Sequence, residues 1–204
     1  MLTLYGAKGS GSAAIEAALT IASLPFRAVE AASWTPGPGL DELKRVNPLA
    51  QIPTLVLDDG SVMTESAAIL IWLGLRYPKS QLLPAEPAQA IRGLVFVAAN
   101  CYAAIGIIDY PERFCADCDK ATGERIRQAT KARLHHYWEM FADRFGAGFQ
   151  PSAPRALELL AATVSRWSGA RVHLKEQRPA FHSMLEKVEA DPRIAGIFTR
   201  HWPK

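Results

Sequence analysis

The stretch from Asn47 to Trp72 contains the residues best suited to hold a small charged ligand. Gln51-Ile52-Pro53 leads into a strand-like run, and a proline at a strand entry is tolerated because its missing N–H is not needed there. Glu65 and Ser66 open an apolar helical run, and a helix start with free N–H groups and a hydroxyl can receive a carboxylate. Together these residues indicate a docking edge for a small anionic peptide.

The elements around this stretch alternate between strands and helices. The sequence predicts strands over 2–5 and 26–30, helices over 12–24, 41–46 and 67–75, and a hairpin turning at Asp58-Asp59-Gly60. Asp-Gly between apolar runs is a strong hairpin signal, since glycine supplies the positive φ that such turns require. The resulting order βαβ–α–ββ–α is typical of an α/β unit.

The second half of the chain is predicted to be helical throughout. Three prolines within 78–87 predict a linker. The helices that follow are predicted over about 88–110, through Phe145 as far as Gly146, over 155–167 and over 175–190. We therefore expect an α/β domain over 1–78, a linker over 79–86 and an all-helical domain over 87–204.

Composition limits the classes of function. The 204 residues are 49% hydrophobic and carry 23 basic against 20 acidic side chains, a balance too even to predict nucleic-acid binding. No apolar run is expected to reach the ~18–20 residues that a membrane span needs. No signal-peptide pattern is found at the start, so we expect a cytoplasmic protein without a membrane or nucleic-acid partner.

The cysteines do not predict a metal or redox centre. Cys115 and Cys118 form a lone CxxC between helical segments, whereas a redox pair favours a helix start after a strand. A zinc site would need two more ligands, and the adjacent His135 and His136 point about 100° apart on a helix. We expect an ordinary turn carrying two thiols, and no metal site.

The segments NPLAQIP, residues 47–53, and TESAAI, residues 64–69, resemble the paired signature of the cytosolic glutathione transferases of bacterial type. Ala50 stands where that signature usually has glycine. The resemblance covers essentially the whole chain and implies a thioredoxin-like N-terminal domain followed by an all-helical C-terminal domain.

The resemblance also implies roles in binding glutathione. Pro53 would follow a cis peptide bond, and the backbone of Ile52 would pair with the cysteinyl part of glutathione as a short added strand. Glu65 would bind the γ-glutamyl ammonium, while Ser66 and the helix start would take its carboxylate. From the residues alone, Ser66 is equally a plain N-cap and Glu65 a solvated acid.

The resemblance places the catalytic group in the loop over residues 6–12, where a hydroxyl would donate to the glutathione sulfur. Ser10 is favoured because it lies between two glycines and is expected to face a ligand freely; Ser12, the alternative, is expected to be the N-cap of the following helix. Tyr5 is expected to face the core. Since the loop contains no cysteine, a thiolate-stabilising enzyme is indicated rather than a thiol-exchange enzyme.

Further contacts are implied less directly. Lys8 and Gln51 could meet the glycyl end of glutathione. The electrophile is expected between the domains, against residues that recur toward the end of the helix over 88–110, although core packing explains several of them equally well: Tyr102, Ile105, Asp109, Tyr110 and Phe114.

The implied activity is glutathione S-transferase, which joins the thiolate of glutathione to a hydrophobic electrophile in detoxification. An isomerase or dehalogenase that uses glutathione, or a non-catalytic ligand carrier or interaction module on the same fold, are the alternatives. Glutathione would be a co-substrate with no further cofactor, and the resemblance implies a homodimer.

Overall fold

The computed structural model describes residues 1–203, which begin with a four-stranded sheet. Its strands are β1 (Leu2–Gly6), β2 (Phe26–Glu30), β3 (Thr54–Val56) and β4 (Val62–Thr64), in the spatial order β2-β1-β3-β4. The pair β1–β2 is parallel, and the other two pairs are antiparallel. The predicted βαβ–α–ββ–α order is confirmed.

Three helices cover the sheet: α1 (Ser12–Ile21), α2 (Pro38–Val46) and α3 (Ser66–Arg76). Neighbouring residues of a strand point to opposite faces, so Leu4 joins the core of α1 and α3, whereas Tyr5 joins a small cluster with α2. The Tyr5 hydroxyl donates to Glu42 at 2.7 Å, which confirms that this tyrosine faces inward.

The helical half contains α4 (Ala88–Asp109), α5 (Lys120–Phe145), α6 (Ala156–Val164), α7 (Ala170–Gln177), α8 (Pro179–Glu189) and α9 (Ala195–His201). The single helix predicted over 175–190 is wrong: Pro179 has no N–H to continue α7 and instead begins α8. The helix α9 was not predicted. The core around Trp138 and Phe141 is continuous with the core under α1 and α3.

The fold class is therefore confirmed as an α/β domain followed by an all-helical domain. The change between them falls between Arg76, where α3 ends, and Ala88, where α4 begins. The domain bounds at residues 78 and 87 stay predictions.

The long helix α4 has two unusual properties. Its middle, Val97–Tyr102, is a π-helical turn. Its 22 residues have a mean hydropathy of 1.8 over their most apolar window, so the prediction that no apolar run reaches the length of a membrane span is wrong. The helix is long and apolar enough to cross a membrane by length and composition alone, and the core helices of soluble proteins meet the same criterion.

Candidate active site

The turn before β3 is held by two buried polar side chains. Asn47 Nδ2 donates to the Gln51 carbonyl at 3.1 Å and to Thr54 Oγ1 at 2.9 Å, and that hydroxyl donates to the same carbonyl at 2.7 Å. The Ile52–Pro53 peptide bond is cis, as the resemblance implied. Because the β3 ladder begins at Thr54, the backbone of Ile52 lies outside it and is placed to pair with an extended ligand.

The start of α3 is free of side-chain caps. The helix begins at Ser66, with Glu65 in the N-cap position, so the alternative of Ser66 as a plain N-cap is wrong. Ser66 is 8% exposed, and its hydroxyl lies beside the uncapped N–H groups of the first turn. Glu65 has a φ of 65°, a strained conformation of the kind that clusters at ligand sites.

The two loop serines do not behave as expected. Ser10 is 8% exposed, and its hydroxyl donates to the Ala7 carbonyl at 2.7 Å, so the expectation that it faces a ligand freely is wrong. Ser12 is the first residue of α1, whose N-cap position is occupied by Gly11, so its predicted N-cap role is also wrong. The two hydroxyl oxygens are 2.8 Å apart, and the loop closes around them.

The bonds of this serine pair decide which proton can reach a ligand. Ser10 Oγ accepts from the amides of Ala7 and Ser12, at 3.3 and 3.2 Å, and its own proton is committed to the carbonyl. The Ser12 proton has weaker acceptors, namely Ser10 Oγ at 2.8 Å and the same carbonyl at 3.3 Å. Ser12 is 3% exposed, so it is no more accessible than Ser10, but its proton is held by the weaker acceptors.

A third hydroxyl reaches the same region from the helical half. A Cβ atom added to Gly11 would lie 2.4 Å from Tyr102 Oη and 3.4 Å from Ser66 Oγ. Burial, and then the nearby Glu65 carboxylate, raise the pKa of Tyr102 to about 12. Tyr102 therefore lies against Gly11 of the loop, near the start of α3. Its predicted contact with the electrophile stays a prediction.

The C-terminal segment around His201 and Trp202 lies against the loop after β1. A Cβ on Gly9 would be 3.8 Å from both the His201 carbonyl oxygen and Trp202 Nε1. His201 Nε2 lies 2.9 Å from Glu16 Oε2, and Arg200 pairs with the other oxygen of the same carboxylate on α1. Sequence reasoning missed this contact, for which the only available signal was an aromatic residue near the end.

Aromatic rings connect the C-terminal segment, which contains Trp202, to Tyr102. The Trp167 ring lies 5.6 Å from the Tyr102 ring and 6.4 Å from the Trp202 ring, and the Arg166 guanidinium stacks 4.5 Å over Trp202. This aromatic wall, defined as Tyr102, Trp167 and Trp202, borders the loop that contains the serine pair.

The other residues predicted for the electrophile do not form one surface. Ile105 is buried in the core at 5% exposed, which leaves it no area for an acceptor. Phe114 is 61% exposed beyond the end of α4, and the Tyr110 ring is covered by the Arg113 guanidinium at 3.9 Å. Partial burial raises the pKa of Asp109, and Arg127 opposes that effect.

The remaining predicted residues lie on the surface. Lys8 and the side chain of Gln51 are exposed at either side of the loop and turn, and their contacts with a ligand stay predictions. Cys115 and Cys118 are free thiols, and partial burial and the adjacent Cys115 raise the pKa of Cys118, which disfavours a reactive thiolate. No cluster of three potential metal ligands occurs in the part of the chain that is described.

Comparison with known proteins agrees with this arrangement. Residues 12–76 match the family model of the glutathione S-transferase N-terminal domain. An uncharacterized GST-like protein of Escherichia coli (strain K12), YncG, is 27% identical over 209 residues, which span 98% of each chain.

Solved structures share the fold over the full length. A glutathione transferase from Methylococcus capsulatus superposes with a TM-score of 0.76 at 24% identity, covering 98% of both chains. A sphingomonad glutathione S-transferase complexed with glutathione gives a TM-score of 0.77 at 20% identity, covering 99% of this chain and 100% of the other. Residues 12–76 therefore carry a glutathione S-transferase N-terminal domain, and the chain has the fold of the bacterial glutathione S-transferases along its length, as the resemblance implied.

Proposed function

We propose that the protein binds glutathione and transfers its thiolate to a hydrophobic electrophile. The observation that carries the proposal is the convergence of two binding elements on one loop. Ser66 Oγ, at the uncapped start of α3, would lie 3.4 Å from a Cβ on Gly11 of the loop after β1. Ile52 comes shortly before Thr54, which pairs with Tyr5 just ahead of that loop. The sphingomonad protein of the same fold is complexed with glutathione, which supports this assignment.

Each part of glutathione has a matching group. The backbone of Ile52 pairs with the cysteinyl part as an added strand. Glu65 pairs with the γ-glutamyl ammonium, and Ser66 with the first turn of α3 receives the γ-glutamyl carboxylate. Lys8 and Gln51 are the candidates for the glycyl end, since both are exposed next to these elements.

The chemistry required of the protein is the stabilisation of a thiolate. A free thiol has a pKa of about 8.5, so lowering it into the neutral range requires about 1.4 kcal/mol for each unit. One charge-assisted hydrogen bond, at roughly 1.5–3 kcal/mol, together with the positive end of α1 meets that requirement. We assign the hydrogen bond to Ser12, because its proton has the weaker internal acceptors.

The acceptor would lie against the aromatic wall. Trp202 borders the loop at Gly9, and Trp167 packs between Trp202 and Tyr102. Both tryptophans are partly exposed, and their apolar ring surface suits an aromatic or otherwise hydrophobic electrophile. A homodimer, a cytoplasmic location and a role in detoxification belong to the proposal as well, and they rest on the resemblance alone.

The test has a binding step and a turnover step. Titration calorimetry with glutathione should show saturable binding, and 1-chloro-2,4-dinitrobenzene should yield the thioether in an absorbance assay. A Ser66→Ala variant should bind glutathione about ten-fold more weakly because the carboxylate loses a charge-assisted donor. Absence of glutathione binding by the unaltered protein would overturn the proposal.

A second candidate function is non-catalytic glutathione binding. It is favoured by one observation: both loop serines are buried and bonded within the loop. In that case the protein would bind glutathione, but glutathione would react with the aryl halide and other activated electrophiles no faster than it does in buffer without the protein.

A further inference from the structure

The Tyr102 hydroxyl occupies a position between the starts of two helices. It lies against Gly11, where α1 begins, and it faces the same side of that residue as Ser66 Oγ, at the start of α3. The start of α3 lacks a side-chain cap, whereas at the start of α1 the Ser12 amide donates to Ser10 Oγ. A polar group contributed by the helical half thus enters the region where the proposed γ-glutamyl contacts converge.

The local structure of α4 holds Tyr102 in this direction. Tyr102 is the last residue of the π-helical turn Val97–Tyr102, and such a turn changes the face on which the following side chains lie. The Trp167 ring packs against the tyrosine ring at 5.6 Å and an interplanar angle of 53°. The position of the hydroxyl therefore follows from packing as well as from helix geometry.

The charge state of Tyr102 suits a donor. Burial and the Glu65 carboxylate raise its pKa to about 12, so the phenol keeps its proton throughout the neutral range. A protonated phenol beside a carboxylate forms a short charge-assisted hydrogen bond. The Glu65 carboxylate leaves the Tyr102 proton available for a carboxylate of the ligand, because Glu65 is proposed to pair with the ammonium of the same ligand residue.

We propose that Tyr102 Oη donates a hydrogen bond to the α-carboxylate of the γ-glutamyl residue of bound glutathione, beside Ser66. The inference rests on the proposed function and assigns the helical domain a direct part in reading the thiol donor. It also gives Tyr102 a role in binding glutathione, whereas Trp167 and Trp202 line the proposed site of the electrophile.

The experiment compares two ligands on three proteins. Calorimetry or competition is used to measure the affinity of glutathione and of 4-aminobutyryl-cysteinyl-glycine, an analogue without that carboxylate. Tyr102→Phe should bind glutathione roughly ten-fold more weakly than the unaltered protein, and the two should bind the analogue within two-fold of each other. Tyr137→Phe is the matched control, since Tyr137 lies on α5 with its ring against Phe96.

A second variant tests the same contact from the other side. Gly11→Ala places a methyl group in the space of the hydroxyl and should give the same selective loss for glutathione. An unchanged glutathione affinity of Tyr102→Phe would overturn the inference and leave the proposed function standing. An equal loss for both ligands would also overturn it, because the hydroxyl would then act on another atom. No glutathione binding by the unaltered protein would overturn both.

Discussion

The Tyr102 hydroxyl lies so close to Gly11 that a methyl group on residue 11 would come within 2.4 Å of its oxygen. Gly11 has a φ of −61°, so its backbone does not require glycine. The absence of a side chain at residue 11 is therefore explained by the tyrosine from the helical half, and the contact couples the two domains at the proposed site.

This contact predicts a steric coupling between the two residues. Gly11→Ala should lower the free energy of unfolding by about 1–3 kcal/mol, the usual cost of overpacking. In the Tyr102→Phe background the same change should cost much less, because the ring carbon Cζ lies 3.4 Å from the added methyl, an ordinary contact distance. Urea unfolding of the two single variants and the double variant measures the coupling, and additive losses would contradict it.

The serine pair predicts a division between stability and activity. Ser10 has three hydrogen-bond partners besides Ser12 Oγ, so Ser10→Ala should lower the free energy of unfolding by about 1–2 kcal/mol. Ser12→Ala should instead lower kcat/KM for the aryl halide by about ten- to a hundred-fold with a smaller loss of stability.

Thermal unfolding and steady-state kinetics of both variants separate these effects. A larger kinetic loss in Ser10→Ala, with the fold intact, would return the catalytic role to Ser10. Unchanged kinetics in both variants would favour the backbone amides of the loop as the donors to sulfur.

The C-terminal segment predicts a third result. Glu16 binds both His201 and Arg200, and the His201 side chain is buried with no partner at Nδ1 among the described residues. Glu16→Ala should therefore lower the free energy of unfolding by about 2 kcal/mol, since it leaves a buried ring without its remaining partner. Glu176→Ala, at an exposed position of α7, is the control and should change it by less than about 0.5 kcal/mol.

Trp202 reports on the same segment. Its ring lies next to Phe198 on α9, and its Nε1 faces Gly9. Glu16→Ala should shift its fluorescence toward that of a solvated indole before global unfolding. A fluorescence spectrum identical to that of the unaltered protein at low urea would contradict the proposed anchoring of the segment.

The sequence predicts the order of strands and helices along the N-terminal half well because the signals for each element are local. Pro53, Gly60 and the run after Glu65 each determine their own turn or helix start, and β2 has the predicted bounds. The serine pair was misjudged because the bonds of Ser10 and Ser12 depend on how the loop folds back on Ala7. No periodicity could have revealed that arrangement.

Contacts between distant parts of the chain were also beyond local reasoning. The contact of Tyr102 Oη with Gly11 joins the helical half to the loop after β1, and local helical spacing carries no information on such a contact. The approach of Trp202 to Gly9 joins residues at opposite ends of the chain, and only the packed structure brings them together.

Alkaline conditions provide a fourth prediction. Burial raises the pKa of Cys101 from 9.0 to about 12, and that of Tyr102 from 10.0 to about 12. Above pH 9–10 the unfolded chain releases these protons while the folded chain keeps them, so stability falls as the pH rises toward 12. Between pH 8 and pH 10.5 we expect a loss of about 2 kcal/mol from Cys101 and about 1 kcal/mol from Tyr102.

Denaturant unfolding at the two pH values measures this loss. Cys101→Ala should remove most of the pH-dependent difference, and Tyr102→Phe should remove a smaller part. Equal losses in all three proteins would show that neither buried group is responsible.

Ala50, which stands where the family signature usually has glycine, has a backbone conformation that favours glycine. Its φ is 50°, in the left-handed region, where a Cβ atom costs about 1–2 kcal/mol and glycine costs nothing. Ala50→Gly relieves that strain but gives the unfolded chain more freedom, worth about 0.4–1 kcal/mol. The net expectation is a gain of about 0.5–1 kcal/mol in the free energy of unfolding.

Ala68→Gly, inside α3, is the control and should lower the free energy of unfolding, because glycine weakens a helix by about 1 kcal/mol. If both substitutions destabilise the protein in denaturant unfolding, the alanine at position 50 is compensated by packing against Tyr5 and its neighbours.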